Sequence, residues 1–434
     1  MGANNGAERR RVLVVGMGIA GMATALRLHQ SGWDPLIVEK APSRRTGGYF
    51  IAGFGTGLAA AERLGVLDYL HDRTPSRHNG QYFVDRSGKA RRGIGVFDLP
   101  VTPKPWLLLR GDVEQALSAA LPDDVEVRYC TVPTEIEQDA GGVEVTLHDT
   151  ASDTRSTERF DLVVGADGLR STVRSLVFGP HERYLHRLDS MIGAFMLPRS
   201  PGGLAPGDGA MLFEPGRSMI VFPFADHPPT ALLSWRSDDI DAEFTGPPAK
   251  RIRAVFGPEP FGRMLGEVID AFEEADTAIF DSAEQVHLDG WHRGRVVLVG
   301  DSAWCPTLYS GMGASTALAG ADLLGAVLDQ HPGNLEGALT DWERKLRPYT
   351  DTYQRVGLKG RQVLTPPTRL HIALRRTMTT LQRTPVIGPA LSRRFVNSPD
   401  FRMRNPDITR TVQPATSTTP TSLTPAPATA IKGT

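Results

Sequence analysis

Three continuous apolar runs, far apart in the chain, are each followed by a turn and a helical pattern. The runs are Val12–Val15, Leu162–Gly165 and Val296–Val299. Uninterrupted apolar runs of this length are typical of buried strands. After the third run, a long apolar helix is predicted over Ala314–Leu328. The repeated order of strand, turn and helix predicts an α/β fold with a Rossmann-like domain.

Between the second and third runs, the pattern changes to short apolar stretches separated by turns rich in proline and glycine. This spacing predicts an antiparallel sheet. The stretches are Met191–Leu197, Met211–Phe213, Met219–Phe224 and Thr230–Trp235.

The C-terminal part is predicted to be helical and then disordered. Leu370–Phe395 carries arginines on an apolar background. We interpret these arginines as the solvent-exposed face of a packed helix pair rather than as part of a helix on a membrane surface. The tail after about residue 412 is mainly Thr, Pro, Ser and Ala, so it cannot offset its own ordering entropy. The arginines are Arg375, Arg376, Arg383, Arg393 and Arg394.

The first apolar run opens directly into a G-x-G-x-x-G sequence. Gly16 permits the tight turn, Gly18 has no Cβ to block a pyrophosphate, and Gly21 lets the next helix approach the strand. Phosphates are favoured at such a helix start. Glu39 follows the second strand, where its carboxylate can accept a ribose hydroxyl and would repel a 2′-phosphate. The pattern therefore predicts the adenosine of FAD or NAD rather than of NADP.

The other two apolar runs decide between FAD and NAD. The second leads into Asp167-Gly168, and the third leads into Gly300-Asp301 and a glycine-rich turn with Gly311 and Gly313. An ordinary NAD dehydrogenase has no use for either segment. They resemble the DG and GD motifs of the group A flavoprotein monooxygenases, the para-hydroxybenzoate hydroxylase-like family. The resemblance covers roughly residues 10 to 350.

The resemblance implies roles for individual residues. It places Asp301 on the ribityl chain or pyrophosphate side of FAD, and it associates Asp167 with both FAD and NAD(P)H. It pairs Arg110 with the FAD diphosphate through charge-assisted hydrogen bonds. Arg45 matches a further arginine of the family, although it could also be a solvated surface charge. Gly313 belongs to the glycine turn beside the cofactor.

The reaction implied by the resemblance has two halves. NADH or NADPH reduces FAD, and the reduced flavin then reacts with O2 to give a C4a-hydroperoxide that transfers one oxygen atom to the substrate. The cofactor carries the chemistry, so the sequence nominates no catalytic residue. The family's sheet covers the substrate cavity, where Phe222 and Phe224 would be wall residues or simply core. An apolar, aromatic or polyketide-like small molecule is the expected substrate.

One segment departs from the family pattern. Trp304 stands where histidine is usual, and it would either alter the flavin surroundings or simply face a neighbouring helix. Cys305 is interpreted as a small buried packing residue rather than a redox or flavin-attachment site. The departure leaves open an alternative, in which FAD is structural and the protein is a non-redox cyclase or a ligand-binding protein in secondary metabolism. A flavin-dependent halogenase is disfavoured, because Trp-x-Trp-x-Ile-Pro does not occur.

The composition limits the choice of partners. The 434 residues are 40% hydrophobic with a formal net charge of -1, which gives no electrostatic reason to expect nucleic acid or a membrane surface. No apolar run reaches the ~18 residues that span a bilayer. Cys130 and Cys305 are the two cysteines, which fits a reducing cytoplasm. The sequence shows no metal-binding spacing and does not predict the oligomeric state.

Together these patterns predict a Rossmann-like FAD-binding domain interleaved with an antiparallel-sheet substrate domain and followed by C-terminal helices. The predicted boundaries are a disordered N-terminus at 1–10, the FAD-binding domain at 11–188 and 281–350, the sheet domain at 189–280, the helices at 351–411 and a disordered tail at 412–434.

Overall fold

The computed structural model describes residues 9–44, 47–76, 78–95, 98 and 100–412. Most residues of the two termini that are predicted to be disordered lie outside these ranges, and so does Arg45. Val412, where the tail is expected to begin, is only 7% exposed and belongs to the main core. Ordered packing therefore extends to this residue.

The described residues form strands and helices in the following order. The strands are β1 (Arg11–Val15), β2 (Asp34–Val38), β3 (Phe50–Gly53), β4 (Gln81–Val84), β5 (Ala90–Arg92), β6 (Trp106–Leu109), β7 (Glu126–Arg128), β8 (Thr131–Gln138), β9 (Val143–Asp149), β10 (Thr154–Phe160), β11 (Leu162–Gly165), β12 (Leu185–Met196), β13 (Gly209–Glu214), β14 (Arg217–Phe222), β15 (Thr230–Arg236), β16 (Ala278–Val286), β17 (His292–Arg293) and β18 (Val296–Leu298). The helices are α1 (Ile19–Gln30), α2 (Gly55–Arg63), α3 (Arg110–Ala120), α4 (Thr172–Val177), α5 (Ile240–Glu243), α6 (Pro248–Phe256), α7 (Arg263–Glu274), α8 (Asp301–Trp304), α9 (Gly313–Gln330), α10 (Leu335–Leu364), α11 (Arg369–Gln382), α12 (Gly388–Val396) and α13 (Pro399–Arg402).

The three apolar runs lie side by side in a six-stranded sheet with the order β17-β18-β11-β1-β2-β7. β1 pairs in parallel with β2 and with β11, and β11 pairs in parallel with β18. Val12, Leu13 and Val14 are consecutive and fully buried, so both faces of β1 are covered. This explains why the runs are continuous rather than alternating, and it confirms the predicted Rossmann-like layer.

A seven-stranded sheet forms the second layer, in the order β16-β12-β15-β14-β13-β4-β5. Its pairings are antiparallel except for the parallel contact between β13 and β4. The predicted antiparallel sheet is thus present, but it also recruits β4 and β5 from far upstream and β16 from the downstream side. Pairing between distant segments leaves no local sequence signal, which is why the spacing of turns did not indicate these strands.

The side chains of this sheet alternate between two faces. Ala210 and Leu212 point to one core, where the sheet packs against α6 and α7. Met211 and Phe213 point to the opposite face, toward Tyr49 from the nucleotide-binding layer. The second face is therefore the one that meets the cofactor-binding side of the molecule.

Smaller sheets and the C-terminal helices complete the fold. β8, β9 and β10 form a three-stranded sheet, and β3 pairs with β6. The predicted helix pair is present as α11 and α12. The expectation that the arginines of this pair face solvent is wrong for Arg375, because its guanidinium lies over the ring of Phe213. In the part of the chain that the structure describes, no helix is both long and apolar enough to cross a membrane.

Candidate cofactor and substrate site

The glycine turn after β1 is shaped by close contacts with the DG segment. Gly16 has φ +105°, and a Cβ there would lie 2.6 Å from the carbonyl oxygen of Ala166. A Cβ on Gly21 would lie 1.9 Å from the carbonyl oxygen of Gly16. Only glycine at this position therefore lets α1 begin so close to the turn. Gly18, by contrast, has nothing within 4 Å of its added Cβ. The middle glycine thus borders open space, where a phosphate group would fit.

Glu39 lies at the end of β2, beside this turn. Its Oε2 accepts a hydrogen bond from the amide of Met17, and its Oε1 accepts one from the amide of Ala41, both at 2.9 Å. The side chain is half-buried. Each oxygen has further lone-pair capacity. The two amides therefore fix the carboxylate in place while leaving it able to accept hydroxyl groups.

The DG and GD segments are joined through Ser302. Its Oγ accepts a hydrogen bond from the amide of Gly168 at 3.3 Å, and its carbonyl accepts one from Arg174 Nη1 at 2.9 Å. A Cβ on Gly300, which has φ +64°, would lie 2.7 Å from the Cβ of Ala20 in α1. All three predicted motifs are consequently brought to one place, at the carboxyl ends of β1, β11 and β18.

Asp167 accepts hydrogen bonds from the start of α4. Its Oδ1 accepts from Ser171 Oγ at 2.5 Å and its Oδ2 accepts from the amide of Val173 at 3.1 Å. Both oxygens thus bind the start of α4, and burial raises the pKa of the carboxyl above its ordinary value. In this structure Asp167 holds a helix start and the close contact to the glycine turn, so any contribution to cofactor binding is an added role.

Asp301 and Arg110 lie in one cluster with Tyr49 and Cys305. Asp301 is solvent-accessible, yet its dense surroundings raise the pKa of its carboxyl above the usual value, while Cys305 and Arg110 oppose this shift. Burial likewise raises the pKa of Tyr49. The Asp301 carboxyl group is therefore surrounded by protein atoms while solvent still reaches it.

Arg110 starts α3, and its main-chain amide donates to the carbonyl of Tyr49 at 3.0 Å. Its Nη2 lies 2.6 Å from Oε1 of Glu114, one helical turn later and only 4% exposed. A Cβ on Gly48 would lie 2.6 Å from the amide nitrogen of Gly111, so the preceding loop is in contact with the same helix start. Arg110 therefore has an internal ion pair in addition to its predicted role at the FAD diphosphate.

The glycine turn before α9 is open on one side. A Cβ on Gly313 would meet nothing within 4 Å, as at Gly18. Thr307, a few residues earlier, has φ +65° and ψ 155°, a region that is essentially restricted to glycine. The backbone before α9 is therefore strained at Thr307, and Gly313 at the start of α9 borders open space.

Trp304 faces the interior rather than a cleft. It is 1% exposed, and its ring centroid lies 4.8 Å from that of Trp291 and 5.8 Å from that of Trp342. Of the two interpretations above, the structure supports packing against a neighbouring helix. Cys305 is also buried, and its Sγ lies 3.7 Å from the carbonyl oxygen of Glu284. This agrees with the predicted packing residue.

The two aromatic residues near Pro223 differ. Phe222 stacks on Phe50 with ring centroids 4.0 Å apart and an interplanar angle of 8°. Phe224 is 2% exposed and packs with Leu107 and Leu109. Phe222 is half-buried on the face that meets the nucleotide-binding layer, whereas Phe224 is a core residue that packs against β6.

Two cavities are both lined by His227. One, of about 330 Å³, lies between the loops that precede β13 and β15. The other, of about 150 Å³, includes Gly48 and Gly111 at the start of α3 together with Met196 of the sheet. This smaller cavity lies where the two layers meet.

These features fit a bound dinucleotide. The Cβ positions of Gly18 and Gly313 border open space, Glu39 presents an oriented carboxylate, and Asp301 lies near enough to Arg110 to interact with its charge. Sequence reasoning missed Tyr49 and Glu114, although Glu114 stands four residues after Arg110 and this spacing is a signal for an ion pair on a helix.

Comparison with known proteins agrees with this geometry. The profile of a family described as "FAD binding domain" matches residues 9–331. The chain is 31% identical over 325 residues to Rv1260 of Mycobacterium tuberculosis (strain ATCC 25618 / H37Rv), an uncharacterized protein, covering 74% of this chain and 85% of that one. It is 28% identical over 353 residues to a flavin-dependent monooxygenase of Legionella longbeachae, covering 80% and 88% of the two chains.

Solved structures show the same fold. The tetracycline destructase Tet(51) has 25% identity and a TM-score of 0.70, covering 89% of this chain and 98% of its own. Klebsiella pneumoniae HpxO, solved with FAD and uric acid, has 20% identity and a TM-score of 0.68, covering 90% and 97%. The chain therefore belongs to the FAD binding domain family and is an FAD-dependent monooxygenase of the para-hydroxybenzoate hydroxylase-like class.

Proposed function

We propose that this enzyme inserts one oxygen atom from O2 into an apolar aromatic or polyketide-like small molecule, with NADH or NADPH as reductant. The observation that carries the proposal is the second face of the seven-stranded sheet. Phe83, Phe213, Phe222 and Leu308 are apolar and only half-buried there, and they belong to one cluster with Tyr49 of the nucleotide-binding layer. A wall of partly exposed apolar side chains between two layers is typical of a small-molecule site.

The residues we propose to hold FAD extend across the molecule. Gly16, Gly18 and Gly21 would receive the pyrophosphate, and Glu39 would accept the ribose hydroxyls. Arg110 would contribute a cation to the diphosphate, and Asp301 with Gly313 would bind the flavin-proximal part. Asp167 would act by positioning α4, and Arg45 remains a proposal from the resemblance. We also propose the boundaries 11–188 and 281–350 for the FAD-binding domain and 189–280 for the main part of the substrate domain.

The chain's own residues would position the substrate and exclude water. When bound, FAD supplies the hydride acceptance and oxygen activation that the side chains cannot supply. Phe222, stacked on Phe50, places a rigid aromatic surface at the junction of the layers. Met211 and Ile220 add an apolar wall. A water-poor cavity protects reactive species from hydrolysis, so the sheet is the element that decides which molecule is oxidised.

The test is anaerobic stopped-flow absorbance of the purified holoenzyme with NADH and, separately, with NADPH, followed by mixing with air. We expect one of the two nicotinamides to bleach the visible flavin band and oxygen to restore it. A flavin that neither nicotinamide reduces, with or without an aromatic ligand present, would reject the proposed cycle. That result would favour the cyclase or ligand-binding alternative.

A further inference from the structure

Helix α11 turns apolar side chains toward solvent. Leu370 and Leu374 are 75% and 60% exposed, and Met378 is exposed as well. These three residues are spaced by four positions, so they lie on one face of the helix. A helix at the surface of a globular protein normally turns its apolar face to the core and its charges outward. The outer face of α11 is therefore an apolar surface that the described part of the chain does not cover.

The opposite face of α11 packs on the seven-stranded sheet. Ile372 is buried, and the guanidinium carbon of Arg375 lies 4.1 Å from the ring centroid of Phe213 in β13. Phe213 belongs to the face of the sheet that meets the nucleotide-binding layer. These contacts fix which side of α11 faces the protein, so Leu370 and Leu374 point away from it.

Exposed apolar side chains are concentrated around this helix. Of the twelve large apolar residues that are exposed in the described part of the chain, eight lie between residues 358 and 395. Single exposed apolar residues are normal on a protein surface, whereas a concentration of them marks an interaction site. The eight are Leu358, Val363, Leu370, Leu374, Met378, Val386, Ile387 and Phe395.

The same part of the chain is strongly cationic. Residues 352–399 contain nine arginine and lysine residues and no aspartate or glutamate. The whole chain has a formal net charge of -1, so its other residues together carry -10. Arg369, Arg376 and Arg394 are exposed, and none of them forms an ion pair with another described residue. The small net charge of the chain thus conceals a local excess of positive charge.

We propose that α11 and the turn that follows it dock on an anionic lipid surface. The apolar side chains enter the boundary between headgroups and acyl chains, and the arginines beside them contact lipid phosphates. A second copy of the chain fits this surface less well, because a two-fold interface brings the same cations against one another. Nucleic acid would match the charge but would leave Leu370 and Leu374 in water.

Membrane docking is independent of the oxidation reaction, but it has a consequence for the proposed substrate. Apolar molecules partition into bilayers. Because α11 packs on the sheet with one face and meets the lipid with the other, docking brings the sheet close to molecules dissolved in the bilayer. This consequence alone rests on the proposed function.

The test is co-sedimentation of the purified holoenzyme with lipid vesicles over a range of lipid concentrations, which gives a partition coefficient. One set of vesicles is phosphatidylcholine alone, and the other contains equal parts of phosphatidylcholine and the anionic phosphatidylglycerol. Leu370→Ser/Leu374→Ser removes apolar surface from α11. Tyr69→Ser is its control, because Tyr69 is as exposed as Leu374 and lies between α2 and β4.

A second pair of variants tests the charge. Arg369→Gln/Arg376→Gln removes two cations from α11, and Arg155→Gln/Arg183→Gln removes two exposed cations from other parts of the fold. Flavin content, melting temperature and the mass in solution are measured for every variant, so that a loosened helix or a change of oligomeric state is recognised.

We expect the parent to bind the anionic vesicles at least about tenfold more tightly than the neutral ones. Each α11 variant should lower the partition coefficient on anionic vesicles by at least about tenfold, and both controls should keep it. A parent that binds neither kind of vesicle, or equally to both, would overturn the proposal.

Two further results would contradict it. If Leu370→Ser/Leu374→Ser binds like the parent while the arginine variant does not, the attraction is charge alone and α11 does not enter the lipid. If the parent is a dimer in solution and Leu370→Ser/Leu374→Ser is a monomer, the outer face of α11 joins two copies of the chain instead.

Discussion

Arg174 and Ser302 join the two flavin motifs through a hydrogen bond of 2.9 Å from Nη1 to the main-chain carbonyl. Arg174 is fully buried, and its Nη2 also donates to the carbonyl of Leu169 at 2.6 Å. Burial lowers the pKa of the guanidinium, so its carbonyl partners hold a desolvated cation. The Arg174 side chain therefore adds a second link between α4 and the GD turn, besides the hydrogen bond from the Gly168 amide to Ser302.

We expect Arg174→Met to lower the free energy of unfolding by about 3 kcal/mol, because two buried carbonyls lose a charged donor. Urea unfolding of the holoenzyme measures this. Arg187→Met is the matched control, since Arg187 is half-exposed and forms its ion pair with the exposed Asp241, where the expected cost is below about 1 kcal/mol. Similar losses in the two variants would contradict the special role of Arg174.

Arg110→Ala should weaken FAD retention by about 2 to 4 kcal/mol, because a charged contact to the diphosphate is lost. The ion pair with Glu114 offers a second explanation for any loss, since the variant also removes the cation beside a buried carboxylate. The measurement is the dissociation constant of FAD, obtained by titrating apoprotein.

The double variant Arg110→Ala/Glu114→Gln separates these explanations. We expect it to regain stability but to keep the weakened FAD affinity. Recovery of full affinity in the double variant would show that Arg110 serves only to neutralise Glu114.

Thr307→Gly should stabilise the protein by about 1 kcal/mol. The backbone of Thr307 lies in a region that costs a β-branched residue about 1 to 3 kcal/mol. Glycine removes this strain, but it raises the entropy of the unfolded chain, which lowers stability by about 0.5 to 1 kcal/mol. Its Oγ1 is also buried without a hydrogen-bond partner among the described residues. Thermal unfolding of both forms is the measurement. A lower melting temperature for the variant would mean that the threonine methyl or hydroxyl contributes packing that outweighs the strain.

Stability should decline as the pH falls below the ordinary histidine value. Burial, and secondarily the charge of Arg174, lowers the pKa of His181 below its usual 6.5. His181 therefore binds a proton more readily in the unfolded chain than in the folded protein. The free energy of unfolding decreases as the pH falls through about 6.5 toward the pKa of His181 in the folded state.

His181→Gln should reduce this slope, whereas His78→Gln, at an exposed turn, should leave it unchanged. Urea unfolding between about pH 7 and pH 5 measures both slopes. Parallel curves for the parent and His181→Gln would place the acid sensitivity elsewhere.

Local backbone constraints made part of the site predictable. Gly16 and Gly21 are required because a Cβ at either position would overlap neighbouring atoms. The glycine spacing in the sequence therefore predicts the tight turn. Asp167 also makes local hydrogen bonds, since Ser171 and the start of the next helix donate to its two oxygens. Its role toward the cofactor stays a prediction.

Other features depend on which surfaces meet in three dimensions. Arg375 and Arg376 are adjacent in sequence, yet only Arg375 turns toward the sheet, and nothing in a run of arginines tells which side of a helix is covered. The environment of Trp304 follows from Trp291 and Trp342, which come from other parts of the chain. Such long-range encounters are not encoded in periodicity.

The seven-stranded sheet has a consequence for the redesign of this enzyme. Its strands come from three separate stretches of the chain, around residues 81–92, 185–236 and 278–286. A chimera that exchanges only residues 185–236 would therefore pair new strands with the old β4 and β16. Grafting a new substrate wall has to treat the three stretches together.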